Sequence, residues 1–266
     1  MTPELEETFA DGIATLTLNR PASRNSLTKE ILFELAQAMP RLAEDPAVRL
    51  VVLTGKGGAF CAGGDVKGFA NRAADNSNAP TFEQSTQTLR ARMEVSRWLH
   101  EMPKPTLAVI SGPAAGAGLS LALACDMRIA ADDAKLTTAF SKVGLSGDFG
   151  GSYFLTQILG AAKAREMYFT AEVILGKEAA RIGLVNRSVP GDQLAQAAHD
   201  YARELASLPT IAVGYMKRNL NAAMQNSLSE VLDLEATHMI RTFETQDHKA
   251  AAVAFVEKRA PKFEGR

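Results

Sequence analysis

Apolar residues recur in short runs along the first 190 positions, and these runs predict strands separated by helices. Residues 13–18 alternate branched and polar side chains, which is typical of a strand with one buried face. The apolar runs at 48–53, 107–110 and 127–130 predict three further strands. Helical patterns lie between the runs, so we expect crossover units that build a parallel sheet.

Helical periodicity is clearest in two segments. Apolar residues from Leu27 to Leu42 recur on one face, and Pro40 within that segment should kink or shorten the helix. Residues 82–101 predict one long helix. The stretch at 71–80 before it is small, polar and without a pattern, which predicts a loop.

The pattern of the chain changes after Gly191. Strand signals end there, and helical segments follow one another to Lys258. We therefore expect an α/β core over residues 1–190 and a helical region over residues 191–266.

Composition narrows the class of function. The chain has 266 residues, of which 46% are hydrophobic, and its formal net charge is -1. Its lysines and arginines are spread along the chain, so we expect binding neither to nucleic acid nor to an anionic membrane. No apolar run reaches about 18 residues, the length that a transmembrane helix needs.

The cysteines and the N-terminus give no sign of secretion or of metal binding. Cys61 and Cys125 lie far apart without a histidine at ligand spacing, so we expect neither a disulfide framework nor a zinc site. The acidic start of the chain lacks the features of a signal or transit peptide. We therefore expect a cytoplasmic protein.

Two turns of small residues each follow a predicted strand. Gly112–Leu119 contains only Gly, Ala and Pro before its final leucine, and Gly57–Asp65 is also rich in Gly and Ala. Small residues leave backbone N–H groups accessible to a ligand oxygen, as in an oxyanion hole. Each turn alone equally fits a tight connection without a ligand. Two such turns after parallel strands would share one sheet edge, where ligands bind in α/β folds, and this favours the functional interpretation.

Five segments together resemble the crotonase family, the enoyl-CoA hydratase/isomerase superfamily. They are Asn19–Leu27, Ala59–Asp65, Gly112–Gly118, Cys125–Asp126 and Ala254–Arg259. The resemblance covers nearly the whole chain. It implies an α/β fold made of a spiral of ββα turns, followed by a C-terminal helical trimerisation region. It also implies an acyl-CoA thioester substrate, with coenzyme A as part of that substrate and no separate cofactor or metal, and a homotrimer or a dimer of trimers.

The resemblance also assigns roles to individual positions. It places the oxyanion-hole amides on Ala62 and Ala117, the latter at a position where the family commonly has glycine. Phe255 and Lys258 match positions that contact coenzyme A, often from a neighbouring subunit. The remaining positions implied for substrate or coenzyme A binding are Arg24, Gly63, Gly64, Asp65, Val66, Lys67, Gly116, Phe140 and Tyr153; for Tyr153, packing is the alternative interpretation.

The chain departs from family hydratases at the two positions of their acids. Ser120 and Phe140 stand where those enzymes carry carboxylates. Asp148 matches the position of the single acid in isomerase members. One carboxylate suffices to move a double bond, since it can remove a proton from one carbon and return it two carbons away. The alternative is structural: Asp148 could cap the helix that we expect to begin near Gly151.

Two expectations concern chemistry at Asp148. Neighbouring Phe140, Phe149, Tyr153 and Phe154 would desolvate the carboxyl and raise its pKa. The favoured activity is enoyl-CoA isomerisation with Asp148 as acid and base. The alternatives are enoyl-CoA hydration using Asp148 alone, nucleophilic attack by Asp148 on an aryl-CoA, and a non-catalytic homologue that binds acyl-CoA or RNA.

Overall fold

The computed structural model describes residues 3–65 and 80–266. The expectations for Val66, Lys67 and positions 71–79 of the predicted loop lie outside the described residues. Six strands form the main sheet in the order β1-β2-β3-β4-β6-β9. Three short strands form a second sheet in the order β5-β7-β8. The strands are β1 Leu5–Ala10, β2 Ile13–Leu18, β3 Leu50–Gly55, β4 Thr106–Ile110, β5 Ala114–Ala115, β6 Met127–Ala131, β7 Lys135–Thr137, β8 Ile174–Leu175 and β9 Arg187–Val189.

The predicted strands and their parallel pairing are confirmed. The predicted strands β2, β3, β4 and β6 run parallel, each beside the next, and the unpredicted β9 adds parallel to β6. Pattern alone missed the short strands β5, β7, β8 and β9. It also missed β1, which pairs antiparallel with β2. Its residues are mostly exposed, so this edge strand carries little apolar alternation.

Helices cover the sheets and fill the C-terminal third. They are α1 Lys29–Glu44, α2 Phe82–Arg92, α3 Glu94–Glu101, α4 Ala117–Ala124, α5 Gly151–Thr170 with a break at Gly160, α6 Gly176–Arg181, α7 Leu194–Ala206, α8 Thr210–Ala223, α9 Leu228–Phe243 and α10 Gln246–Val256. Helices therefore follow one another after residue 191, as expected. The boundary at 190 stays a prediction, although α7 packs against β2, β3 and β6 of the core.

Two helix expectations were wrong. The single helix predicted over 82–101 is two helices that meet at Met93; α3 buries Val95 and Leu99, whereas α2 buries no residue. The other error concerns α1, which continues through Pro40 to Glu44 and is not shortened. Met39 and Leu42 on either side of the proline are buried, so packing outweighs the lost backbone hydrogen bond.

An ion pair between a buried lysine and a partly buried aspartate joins the helical region to the core. The Lys217 ammonium on α8 lies 2.7 Å from the Asp126 carboxylate and donates to the carbonyls of Leu99 and Lys104. Asp126 also accepts from the backbone N–H and the hydroxyl of Thr106 at the start of β4. This full set of partners gives Asp126, one of the motif residues, a structural role.

Candidate active site

The two small-residue turns lie against each other at the ends of neighbouring strands β3 and β4. The Ala115 N–H donates to the Cys61 carbonyl at 2.9 Å, and the Cys61 N–H donates to the Pro113 carbonyl at 3.1 Å. A parallel bridge joins Cys61 and Ala114. The predicted meeting of the turns at one sheet edge is therefore confirmed.

Gly118 allows this close approach. A Cβ built on Gly118 would collide with the Cys61 carbonyl oxygen and lie 2.7 Å from the Cys61 Cβ. The colliding atom belongs to the backbone, so no rotation of a side chain relieves it.

Replacing Gly118 with alanine is therefore expected to destabilise the protein by about 1–3 kcal/mol, the usual range for overpacking. Alanine gains about 1 kcal/mol in a helix relative to glycine, and the clash should exceed that gain. Chemical denaturation would measure the change. Gly191→Ala is the matched control, since a Cβ there meets its nearest neighbour at 3.6 Å. Equal stability of the Gly118→Ala variant and the wild type would contradict the requirement for contact between the turns.

The second turn presents the Ala117 amide. Ala117 is the first residue of α4, and its N–H has no acceptor among residues 3–65 and 80–266. A Cβ built on Gly63 would lie 3.4 Å from the Ala117 nitrogen, so the first turn passes directly beside this amide. The positive end of a helix favours a negative charge at this position. Gly116, before it, caps the helix with φ 53° and donates its own N–H to the Thr137 carbonyl.

The expectation for Ala62 was wrong. Its N–H donates to the Arg24 carbonyl at 2.9 Å and is not available to a ligand. The next amide, that of Gly63, points to the Cys61 sulfur at 3.4 Å. The Gly64 N–H has no acceptor within the described part of the chain. Gly64 therefore takes the place of Ala62 as the second available donor.

Asn25 holds the first turn in this shape, a role that the sequence reasoning missed. Its side chain is fully buried and donates to the carbonyls of Lys56 and Ala59 at 2.9 and 2.8 Å. Its carbonyl oxygen accepts from the Arg20 N–H. Asn25 and Arg24 both have positive φ, which turns the chain so that the Arg24 carbonyl reaches Ala62. The polar cluster around Asn25 was visible in the sequence, but its burial was not.

Asp148 lies on the segment between the 3₁₀ helix Phe140–Val143 and α5. Its Oδ1 is buried and has no hydrogen-bond partner in the described structure. Burial raises the pKa of the Asp148 carboxyl to about 6. The expected direction of the shift is thus confirmed, and Phe140, Phe149 and Phe154 are buried, as a desolvated site requires.

The alternative role of Asp148 as a helix cap was wrong. Gly150 is the N-cap of α5, and no side chain caps that helix. The contact of Asp148 with the helix start is through its main-chain carbonyl, which accepts from the Gly151 N–H at 3.1 Å. The Asp148 carboxylate therefore takes no part in capping α5.

Aromatic rings connect Asp148 with the second turn. The Phe140 ring lies 3.6 Å from the place where a Cβ on Gly116 would be. Tyr168 on α5 stacks on Phe140, with ring centres 6.0 Å apart. Burial raises the pKa of the Tyr168 hydroxyl to about 12, and the charge of Asp148 adds to the shift. The stacked rings of Phe140 and Tyr168 thus lie against Gly116 of the second turn and against Gly147, the residue before Asp148.

Comparison with known proteins assigns the whole chain to a family. The enoyl-CoA hydratase/isomerase family model matches residues 8–266. The chain belongs to this family. It is 36% identical over 256 residues to 1,2-epoxyphenylacetyl-CoA isomerase of Escherichia coli K12, with 96% of each chain covered. It is also 36% identical to crotonyl-CoA hydratase of Syntrophomonas wolfei, over 94% of each chain.

Solved structures agree with this assignment. A putative enoyl-CoA hydratase from Streptomyces coelicolor A3(2) superimposes with a TM-score of 0.92 at 34% identity, covering 99% of this chain and 94% of the other. An enoyl-CoA hydratase from Polaromonas gives 0.90 at 32% identity, covering 97% and 99%. The crotonase-like α/β fold and membership of the enoyl-CoA hydratase/isomerase family are confirmed.

Ser120 is enclosed in this member of the enoyl-CoA hydratase/isomerase family. It is 2% exposed, and its hydroxyl donates to the Gly116 carbonyl at 3.3 Å. A Cβ on Gly151 would collide with the Ser120 Oγ, so the start of α5 closes directly over it. Ser120 therefore has no open side from which it could hold a water molecule.

Tyr153 follows Asp148 by five residues in the chain. It lies on the wall of a cavity of about 740 Å³. Its hydroxyl accepts from the Gln225 amide at 3.0 Å, and its ring packs edge-on against His100 and Phe154. α3 and α8 supply most of the remaining lining. This placement supports the packing interpretation of Tyr153 and leaves its substrate role a prediction.

Phe255 and Lys258 lie at the C-terminal end of α10, where the Phe255 side chain is 85% exposed. Their expected contact with coenzyme A stays a prediction, as do the roles of Arg24 and Asp65 in substrate binding.

Within the described ranges, no group of three or more potential ligands could hold a metal ion, and no helix is long and apolar enough to cross a membrane. Burial raises the pKa of both thiols, Cys61 and Cys125, to about 12. Neither cysteine is therefore a thiolate at neutral pH.

Proposed function

We propose that this protein is an enoyl-CoA isomerase that moves a double bond along the acyl chain with Asp148 as the acid and base. The Asp148 carboxyl carries this proposal, because its buried Oδ1 has no hydrogen-bond partner in the described residues and burial raises its pKa to about 6. A base with a pKa near the working pH is ionised often enough to accept a proton and basic enough to take it. The relative named 1,2-epoxyphenylacetyl-CoA isomerase supports an isomerase reaction on a coenzyme A thioester.

The proposed reaction begins with the thioester oxygen between the Gly64 and Ala117 amides. Asp148 removes a proton from C2 of a 3-enoyl thioester, and the electron pair of that C–H bond moves into a dienolate whose charge rests on the oxygen. The carboxylic acid then returns the proton to C4, which leaves the double bond between C2 and C3. The substrate neither gains nor loses an atom. Each donor amide should contribute about 2.7–4 kcal/mol to stabilising the dienolate.

The coenzyme A part of the substrate would lie along the first turn, near Arg24, Gly63 and Asp65. A trimer or a dimer of trimers would let α10 of a neighbouring subunit bring Phe255 and Lys258 to this ligand. Exposed apolar side chains on the C-terminal helices support such an assembly; they include Leu220, Leu228, Leu232, Met239, Ile240 and Val256. Their burial between subunits would be favourable.

Hydration of a 2-enoyl thioester is the second candidate, because relatives such as the crotonyl-CoA hydratase carry that name. Asp148 alone would then have to accept a proton from the attacking water and donate a proton to C2. The enclosed Ser120 and the apolar Phe140 ring stand at the two positions of the hydratase acids, so neither position supplies a second carboxylate, and this favours isomerisation.

Incubation with 2-enoyl- and 3-enoyl-CoA of several chain lengths tests the proposal. Mass spectrometry of the products, followed together with ultraviolet absorbance, separates the two activities. We expect an unchanged mass with a shift in absorbance as the double bond conjugates with the thioester. A gain of one water from the 2-enoyl substrate would instead establish the hydratase. No change with any substrate would contradict both.

A further inference from the structure

Another cavity, separate from the candidate active site, has a volume of about 300 Å³. Val48 and the segment 103–104 line it, and they directly precede strands β3 and β4. The cavity therefore lies at the amino ends of these strands, whereas the two small-residue turns lie at their carboxyl ends. The proposed reaction uses no group at this edge of the sheet.

The N-terminus of α8 forms one side of this cavity. Thr210 and Ile211, the first two residues of the helix, line it. Val213 is the first residue of the helix whose N–H finds an acceptor, the Pro209 carbonyl at 2.9 Å, and the amides of residues 210–212 have none in the described chain. No side chain caps this end. Unpaired amides at the positive end of a helix attract anions.

The Thr210 hydroxyl faces the same space. Thr210 is 8% exposed, and its Oγ1 has no hydrogen-bond partner in the described structure. A Cβ on Gly265, which also lines the cavity, would lie 3.4 Å from this oxygen and, chain neighbours aside, would meet no other residue within 4 Å. The Asp247 carboxylate fixes this glycine by accepting from its N–H. A buried hydroxyl without a partner needs an explanation, and a ligand in the cavity supplies one.

Lys104 brings a buried positive charge to the cavity. It is 6% exposed, and its ammonium donates to the main-chain carbonyl of Asp45. An ammonium has three donors, and this one finds no second acceptor and no ion pair in the described residues. Burial lowers the pKa of Lys104, and the charge of Asp45 opposes that shift. A buried cation with unpaired donors favours an anionic ligand.

The Lys104 segment lies directly against α8. A Cβ on Gly214 would lie 2.7 Å from the Pro103 carbonyl oxygen, so the two backbones touch there. Gly214 is four residues after Thr210 and therefore on the same face of the helix. The buried ammonium and the free helix N-terminus thus belong to one cavity.

Positive charge predominates among the lining residues. The Arg218 guanidinium lies over the Tyr215 ring and forms no ion pair in the described part of the chain. Glu44 is the acidic residue of the lining, and it is exposed. Arg218 and Lys104 together outnumber it, which again favours an anion.

We propose that this cavity binds a phosphate group, with the first amides of α8 and the Thr210 hydroxyl holding its oxygens and the Lys104 ammonium balancing its charge. Several helix amides suit the several oxygens of a phosphate, and the hydroxyl can donate to one of them. The ligand is inorganic phosphate or the phosphate of a small ester. The inference does not depend on the proposed isomerase activity, since neither Asp148 nor the donor amides of that reaction line the cavity.

Isothermal titration calorimetry with inorganic phosphate, at constant ionic strength in a chloride buffer, tests the site in the whole protein. We expect saturable binding that Lys104→Met weakens by about tenfold or more, because a hydrogen bond to a charged group is lost. Thr210→Val keeps the shape of the side chain and the backbone amides, and it should weaken binding by about two- to tenfold. Melting temperatures show whether each variant is folded, and Thr210→Val carries the test if Lys104→Met is not.

Lys135→Met is the matched control, since Lys135 is exposed on β7 and its loss changes the net charge by the same amount. This variant should bind phosphate as the wild type does. Phosphate bound elsewhere, at the coenzyme A site included, would be insensitive to substitutions at Lys104 and Thr210. Absence of binding to the wild type, unchanged affinity in the folded variants of these two residues, or an equal loss in the control would overturn the inference.

Glycerol 3-phosphate distinguishes the two sources of the phosphate group. Tighter binding of this ester than of inorganic phosphate, with the same sensitivity to Lys104→Met, assigns the cavity to a phosphate ester. Weaker binding of the ester assigns it to the free ion. None of these titrations needs turnover, so a failed isomerase assay leaves their outcome unaffected.

Discussion

Replacing Asp148 with asparagine will lower turnover by about 100- to 10,000-fold, the usual contribution of a positioned acid and base. The amide has nearly the shape of the carboxyl but accepts no proton. The turns that carry the Gly64 and Ala117 amides do not depend on the Asp148 side chain, so binding of the acyl-CoA should persist. Turnover with 3-enoyl-CoA and binding of an unreactive thioether analogue measure the two effects separately.

The same substitution should stabilise the folded protein at neutral pH. The pKa of Asp148 rises from 3.8 to about 6 on folding, so its charged form disfavours the folded state as the pH increases from about 4 to 6. The full shift would correspond to about 3 kcal/mol, and partial exposure to solvent reduces this to about 1–2 kcal/mol. Asparagine carries no charge and removes the penalty.

Urea denaturation at pH 4 and pH 8 measures the expected change in the free energy of unfolding of the Asp148→Asn variant. The variant should gain stability over the wild type at pH 8 and little at pH 4, where the carboxyl is protonated in the folded state and only about half ionised in the unfolded state. Asp233→Asn on the exposed side of α9 is the control and should show no such difference. Full activity of the Asp148→Asn variant would refute the single-carboxylate mechanism, and an equal gain at both pH values would refute burial as the cause of its pKa.

Replacing Ala117 with proline should reduce kcat by about 100- to 1000-fold, because it removes one donor of the proposed oxyanion hole. Proline is tolerated at the first residue of a helix, where the N–H has no partner within the helix. Ala117 is that residue of α4, and Gly116 before it has the conformational freedom that a residue preceding proline needs. The fold should therefore survive while the donor is lost.

Lys29→Pro provides the matched control for Ala117→Pro. Lys29 is also the first residue of its helix, α1, and Thr28 before it is extended, as proline requires. This variant should retain wild-type turnover, and circular dichroism and melting temperature should show both variants folded. Activity of the Ala117→Pro variant within tenfold of the wild type would exclude this amide from the reaction.

Strands and turns could be predicted because their signals are local. Apolar runs located β2, β3, β4 and β6, and small residues after β3 and β4 indicated turns that the parallel sheet then had to bring together. β1 was not predicted because an exposed edge strand shows little alternation of apolar and polar residues. The break between α2 and α3 was not predicted because it depends on which of the two helices packs against the core.

The sequence by itself determined four parallel strands of the core, the two small-residue turns and the family resemblance. It also determined that Ser120 and Phe140 replace the hydratase acids and that Asp148 remains. Only the tertiary structure decided which groups at that site remain available. The Arg24 carbonyl occupies the Ala62 amide and leaves that of Gly64 open, since a hydrogen bond between distant segments has no local pattern. Folding likewise buries the Asp148 Oδ1 without a hydrogen-bond partner in the described residues. The chemistry of the carboxyl follows from that burial, because desolvation depends on the atoms that surround a group in space.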